Sequence, residues 1–190
     1  MDRGTRVFWA IVLTLFVASG VFGVRAAAIR RAAAASNAAV QTGDLVTLSQ
    51  VVDGDTVVVR NPAGDEVPIR ILGVKSLKAQ GKDPVAIHGQ LAAKALERAF
   101  DRPPRVLLGT PSRDKHGRTL ATLFHDEQDV ALELVKNGLL LVYTPFPFPA
   151  MQQYLAAQTR ARAERKGLWA DPAAVSRADA LFTSWRNGAE

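Results

Sequence analysis

The chain has 190 residues, 48% of them apolar, and a formal net charge of +6 with no cysteine. That length accommodates one domain of ordinary size plus extensions, and the apolar share is enough for a core. Lack of cysteine excludes disulfides, thiolate metal sites and cysteine nucleophiles, and leaves the redox compartment open.

The positive charge is unevenly placed. Residues 1–42 hold five arginines (Arg3, Arg6, Arg25, Arg30, Arg31) against Asp2, a net +4. Residues 43–172 hold 17 basic and 15 acidic side chains, and residues 173–190 balance to zero. Most of the excess therefore flanks the first apolar segment, where basic residues meet lipid head groups. Bulk charge is weak evidence for nucleic acid.

Val7 to Val24 is an uncharged run of 18 residues, VFWAIVLTLFVASGVFGV. As a helix it spans roughly 27 Å, close to the bilayer hydrocarbon thickness. It is apolar on every face, unlike a core helix, and Trp9 suits an interfacial position. Residues 1–25 are expected to form a single transmembrane anchor. A cleavable signal peptide, with Ala26 to Ala28 as its cleavage site, is the rival reading. Two arginines precede the run and three follow it, which tips the soluble domain toward the cytoplasmic or matrix-like side. Residues 26–42, rich in alanine and arginine, read as a linker or a helix extension. A mitochondrial targeting role for this acid-poor stretch also stays open.

From Asp44 the pattern turns to β-type runs. Leu45–Val52, Thr56–Arg60 and Val67–Val74 are rich in Val, Ile, Leu and Thr, separated by Asp53-Gly54-Asp55 and by Asn61 to Asp65, both turn chemistry. A polar loop, Lys75 to Pro84, follows. His88 to Phe100 places Leu91, Ala95, Leu96 and Ala99 on one helical face. Arg105–Leu108 and Thr119–Phe124 read as two more strands around a charged turn. Val130, Leu134 and Val135 pattern a second helix closed by Asn137-Gly138. Met151 to Lys166 reads as a third, and Ala173 to Trp185 as a peripheral helix of a tail covering residues 173–190. The expected class is α+β: five strands, a helix between the third and fourth, and helices after the fifth.

Five blocks in this order resemble the thermonuclease (staphylococcal nuclease-like) family. They are Val51-Val52-Asp53-Gly54-Asp55-Thr56, Val67-Pro68-Ile69-Arg70-Ile71-Leu72-Gly73-Val74, Asp114-Lys115-His116-Gly117-Arg118, Glu133-Leu134-Val135-Lys136-Asn137-Gly138-Leu139 and Arg165-Lys166-Gly167-Leu168-Trp169. A lone Asp-Gly-Asp says little, but five ordered blocks over about 130 residues are specific together. The resemblance covers residues 43–172. It implies a five-stranded OB-fold β-barrel with packed helices and a calcium-dependent phosphodiesterase site for DNA and RNA. It assigns Asp55 as a calcium ligand, and Arg70 and Arg118 as the phosphate clamp, a task that suits arginine's planar fork.

Two positions depart from the pattern. The family reads Asp-Thr-Pro-Glu after the third strand, its Asp a second calcium ligand and its Glu the general base. This chain reads Lys75-Ser76-Leu77-Lys78. Calcium wants six to eight oxygen ligands, and an ammonium supplies none. Asp55, Arg70, Arg118, Lys75 and Lys78 carry a formal +3. Two unit charges at 4 Å repel by roughly 4 kcal/mol at an effective dielectric of 20, and a divalent ion feels twice that. A lysine of ordinary pKa is protonated at neutral pH and accepts no proton.

The expected function is therefore a membrane-anchored nuclease-like domain with a degenerate site, serving as an anion-, nucleic-acid- or protein-binding or structural module of a membrane assembly. Lys75, Lys78, Arg70 and Arg118 are the candidate binding residues. No cofactor is expected. The alternative is an active nuclease with an altered metal site, and calcium belongs to that alternative. Expected partners are the membrane, proteins of a membrane complex, and nucleic acid or anionic lipid. Bland readings stand beside these: the two lysines as solvated loop residues, and Arg70 as an ion-pair partner of Asp53 or Asp55. Asp83 reads as a solvated loop residue, with replacement of a missing carboxylate as its alternative role, and His116 and His88 as packing or capping groups. The aromatic and proline-rich segment Tyr143 to Pro149 reads as a loop packed on the strands.

Overall fold

The computed structural model describes residues 39–78 and 83–188, without the side chains of residues 110–112. The proposed membrane run, Val7 to Val24, lies outside the described residues. No helix among the described residues is long and apolar enough to cross a membrane.

Strands β1 (Thr47–Asp53), β2 (Thr56–Arg60) and β3 (Glu66–Ile71) form an antiparallel meander. A short β4 (Val74–Lys75) follows, then helix α1 (Ala86–Ala99), β5 (Arg105–Arg113), β6 (Thr119–His125) and β7 (Gln128–Asp129). Next come α2 (Val130–Lys136), β8 (Leu141–Val142), α3 (Met151–Ala163), a 3-10 turn (Gly167–Ala170) and α4 (Pro172–Arg186). The main sheet runs β1-β2-β3-β6-β5, with β7 paired to β6, and its β3–β6 ladder is parallel. The fold is α+β with a mixed sheet.

The period-two pattern sorts this sheet into two faces. Val57 opposes Ile69 and Val59 opposes Val67, and all four are buried. Such cross-strand pairs are the unit of sheet stability. Thr56 opposes Arg70 out of phase with them, so both fall on the other face.

The segment leading into β1 returns to β5. The Gly43 amide donates to the Val106 carbonyl (2.8 Å), the Val106 amide to the Asp44 carbonyl (2.9 Å), and Leu45 bridges Arg105. The strand ladders themselves make a mixed sheet. Three short strands, β4, β7 and β8, add to the five expected. The expected third strand stops at Ile71 because Gly73, at φ +74°, turns the chain; Val74 and Lys75 then pair with Val142 and Leu141 instead.

Caps set the helix starts. The Asp129 carboxylate accepts from the Ala131 and Leu132 amides at 2.9 and 3.2 Å, and Asp171 accepts from Ala173 at 2.9 Å with Pro172 in the first turn. Helix α4 is part of the core. Its Ala174 and Ala178 are buried in a cluster with Leu77, Val85, Leu168 and Trp169. Leu77 and Val85 flank the polar loop after β4, so the last helix braces both ends of that loop.

Candidate functional site

The β1–β2 turn, the end of β3, strand β4 and the turn before β6 bring Asp55, Arg70, Lys75 and Arg118 together on the face opposite Val57 and Ile69, and leave Lys78 exposed in the loop after β4. Asp55 is 1% exposed and Arg70 9%. Arg70 Nη1 lies 3.2 Å from Asp55 Oδ1, as the ion-pair reading of this arginine expects. Its guanidinium also donates to the carbonyls of Asp55 and Ile71, both at 3.0 Å, and of Val74 at 2.6 Å. Arg70 is thereby occupied with holding the β3–β4 turn to the β1–β2 turn.

Both oxygens of Asp55 are engaged. Oδ1 accepts from the Thr56 hydroxyl at 3.1 Å, beside Arg70. Oδ2 accepts from the Ser76 amide at 2.7 Å and the Ser76 hydroxyl at 3.3 Å, with Lys75 Nζ at 3.5 Å. Burial pushes this carboxyl up, but the charges of Arg70 and then Lys75, with the hydrogen bonds, hold it below the ordinary value. Asp53 accepts from the Asp55 amide at 2.9 Å. Burial first, and the Asp55 charge second, raise the Asp53 carboxyl above its ordinary value.

Arg118 is positioned by its own turn. Its Nε and Nη2 donate to Asp114 Oδ2 at 2.8 and 2.7 Å, and its Nη1 donates to the Thr56 hydroxyl at 3.3 Å. Asp114 Oδ1 takes the Arg118 and His116 amides at 3.0 and 2.9 Å. Burial opposes ionisation of Asp114, yet these bonds outweigh it and lower its pKa. The Arg118 side chain is 33% exposed against 11% for Arg70. Of the two arginines, Arg118 has the surface to meet a ligand.

Lys75 is half-buried against Asp55, and Lys78 is exposed. The cluster is less cationic than five residues alone imply. Asp53 and Asp114 join it, so Arg70, Lys75 and Arg118 stand with three carboxylates and the formal charge of these six residues is zero. Sequence reasoning missed Ser76 and the pairing role of Asp114, although both stand inside the quoted motifs.

Other expectations resolve as follows. Asp83 accepts from the Val85 amide at 3.1 Å and pairs with Arg177 at 2.9 Å, so it ties the approach to α1 to α4. His88 meets Asp171 at 2.8 Å. His116 is exposed, contrary to the packing expected of it, because the turn folds its backbone around Asp114. In the aromatic segment Phe148 lies over Gly73 and Tyr143 stacks edge-on to Trp185 (5.1 Å), while Phe146 is 66% exposed.

The family model described as staphylococcal nuclease homologue matches residues 68–171. The chain belongs to the staphylococcal nuclease family. It is 29% identical over 123 residues to a protein of Haemophilus influenzae named an uncharacterized endonuclease, covering 64% of this chain and 64% of that protein. Endonuclease YhcR of Bacillus subtilis is 28% identical over 134 residues, 64% of this chain and 11% of that protein. The thermonuclease of Staphylococcus intermedius is 26% identical over 130 residues, 66% of this chain and 75% of that protein. The chain thus spans less than two thirds of the first two relatives. The family match ends at Asp171, so α4 lies beyond it.

The calcium that the family resemblance implies can be tested against this staphylococcal nuclease domain's own donors. Asp55 has its oxygens turned to an arginine, a lysine, two hydroxyls and an amide. Among the described residues no group of three or more His, Cys, Asp or Glu is placed to hold a metal ion. A hard cation needs several oxygens that are free to turn to it. Among the described residues, the Asp55 oxygens that the family turns to calcium are taken up by this chain's own donors.

Proposed function

We propose that this chain is a membrane-anchored staphylococcal nuclease-like protein whose catalytic site has lapsed, and that the domain serves a membrane assembly as a binding or structural module. The observation carrying this reading is the closed shell around Asp55: the one retained family ligand is spent on Arg70, Lys75 and Ser76. With lysines at both positions where the family places ligand and base, metal binding lacks an oxygen donor there and water activation lacks a proton acceptor. The bridge of Leu45 to Arg105 supports closure of the sheet into the OB barrel of the family. Anchoring rests on the apolar run Val7 to Val24, with the domain on the cytoplasmic or matrix-like side. Arg118 and Lys78 offer anionic groups, such as phosphate, nucleic-acid backbone or acidic head groups, a salt-sensitive surface.

The alternative is an active nuclease with an altered metal site. It is favoured by the endonuclease names of the relatives and by the exposed edge of Arg118. A cleavage assay on single-stranded DNA with millimolar calcium separates the two. The proposal expects no cleavage above a buffer control. Cleavage by the wild type that Arg118→Ala abolishes overturns it.

A further inference from the structure

Two carboxylates sit within one turn, Asp53 half-buried and Asp55 buried, with the Asp55 amide bonded to Asp53 Oδ1 at 2.9 Å. Like charges so close repel, and positive charge beside the pair offsets that repulsion. Arg70 supplies one positive charge at Asp55 Oδ1, and its remaining bonds go to backbone carbonyls. Arg118 cannot supply the second, since its fork is committed to Asp114. The second comes from Lys75, whose Nζ lies 3.5 Å from Asp55 Oδ2.

We propose that Lys75 is a resident cation: its ammonium, delivered by β4, takes over the charge-balancing task of a metal ion at the Asp53–Asp55 turn, so the turn is held without a divalent cation. This deepens the reading of a lapsed site and rests on it. The backbone fixes the delivery. Val74 and Lys75 pair with Val142 and Leu141, the Ser76 amide and hydroxyl bind the same carboxylate oxygen that faces Lys75, and the next residue, Leu77, is buried in the core shared with α4. An ammonium fits the task better than a guanidinium, because it is a compact point charge that needs no planar partner. Its side chain is 40% exposed, which spares it most of the cost of desolvation.

The test is thermal unfolding of the full-length chain in detergent micelles, in millimolar calcium and in chelator. Wild type is expected to melt at the same temperature in both. Lys75→Met is expected to melt roughly 2–4 °C lower, while Lys75→Arg, which keeps the charge on a less compact head group, is expected to lose clearly less than Lys75→Met. Adding Asp53→Asn to Lys75→Met is expected to recover part of the loss, because one carboxylate then needs no counter-charge. That rescue also carries the comparison if Lys75→Met alone does not fold. The proposal is overturned if calcium raises the wild-type melting temperature, if Lys75→Met melts with wild type, or if Asp53→Asn brings no recovery. Cleavage of DNA by the same samples, with the melting pattern as expected, sinks the non-hydrolytic reading and leaves the role of Lys75 standing.

Discussion

Alanine in place of Asp55 is expected to lower the unfolding free energy by about 3–5 kcal/mol, the range for removing one partner of a buried ion pair. Arg70 would remain on the site face with three carbonyls and no counter-charge. The Ser76 amide and hydroxyl and the Thr56 hydroxyl would lose their acceptor, and unmet buried donors carry their full desolvation cost. Urea unfolding of both proteins measures the difference. Its pH dependence has a definite sign. The folded-state Asp55 carboxyl lies below its ordinary value, so its contribution is present above the ordinary carboxylate range and fades as pH falls through the lowered value. The gap between wild type and Asp55→Ala should therefore narrow in acid. A solvated Asp55 waiting for a metal would behave differently: its loss would leave stability unchanged or raise it. A difference near zero at neutral pH would contradict the closed-shell description of the site.

The second large effect falls on Gly73, in the turn that carries β3 into β4. Its φ of +74° is left-handed, and a Cβ there would overlap the Phe148 ring. Gly73→Ala is expected to cost about 1–2 kcal/mol for the backbone conformation and about 1–3 kcal/mol for overpacking, hence about 2–5 kcal/mol in all. Only the overpacking part depends on the ring. In the double variant Gly73→Ala with Phe148→Ala, the two costs should sum to less than their separate values by at least about 1 kcal/mol. Strict additivity in urea unfolding would mean that the ring does not press on this turn. The consequence reaches the site, because the Gly73 carbonyl accepts from the Tyr143 amide at 2.9 Å and the turn sets where Lys75 stands.

The fold was largely legible in residue order. Thr56–Arg60 appears with the expected bounds because its run of β-branched residues, Thr56 to Val59, lies between turn residues on both sides. The break between β3 and β4 was not drawn, although a glycine inside a strand pattern signals it. Helix α1 begins at Ala86 rather than His88, since Asp83 and Pro84 start it without an N-cap side chain at Val85. Helix α3 ends at Ala163, short of Lys166, where Arg165 turns to φ +51° ahead of the 3-10 turn. The retained and exchanged residues of the site were also legible, because they lie in motifs of fixed spacing. Their partners were not. Asp55 meets Arg70 and Ser76 across 15 and 21 residues, and composition counts charges without pairing them. Arg118 looked like a free clamp for the same reason: Asp114, four residues earlier, was read as turn chemistry alone. The helix after Asp171 looked peripheral from its mixed composition, yet Ala174, Ala178 and the Arg177–Asp83 pair draw it onto the site loop.

Calcium titration by calorimetry tests the central claim most directly. The full-length wild type is expected to give no binding heat at millimolar calcium. The double variant Lys75→Asp with Lys78→Glu, which returns both carboxylates, is expected to gain a saturable one. Saturable calcium binding by the wild type would contradict the account, because some oxygen set would then be reaching an ion past Lys75.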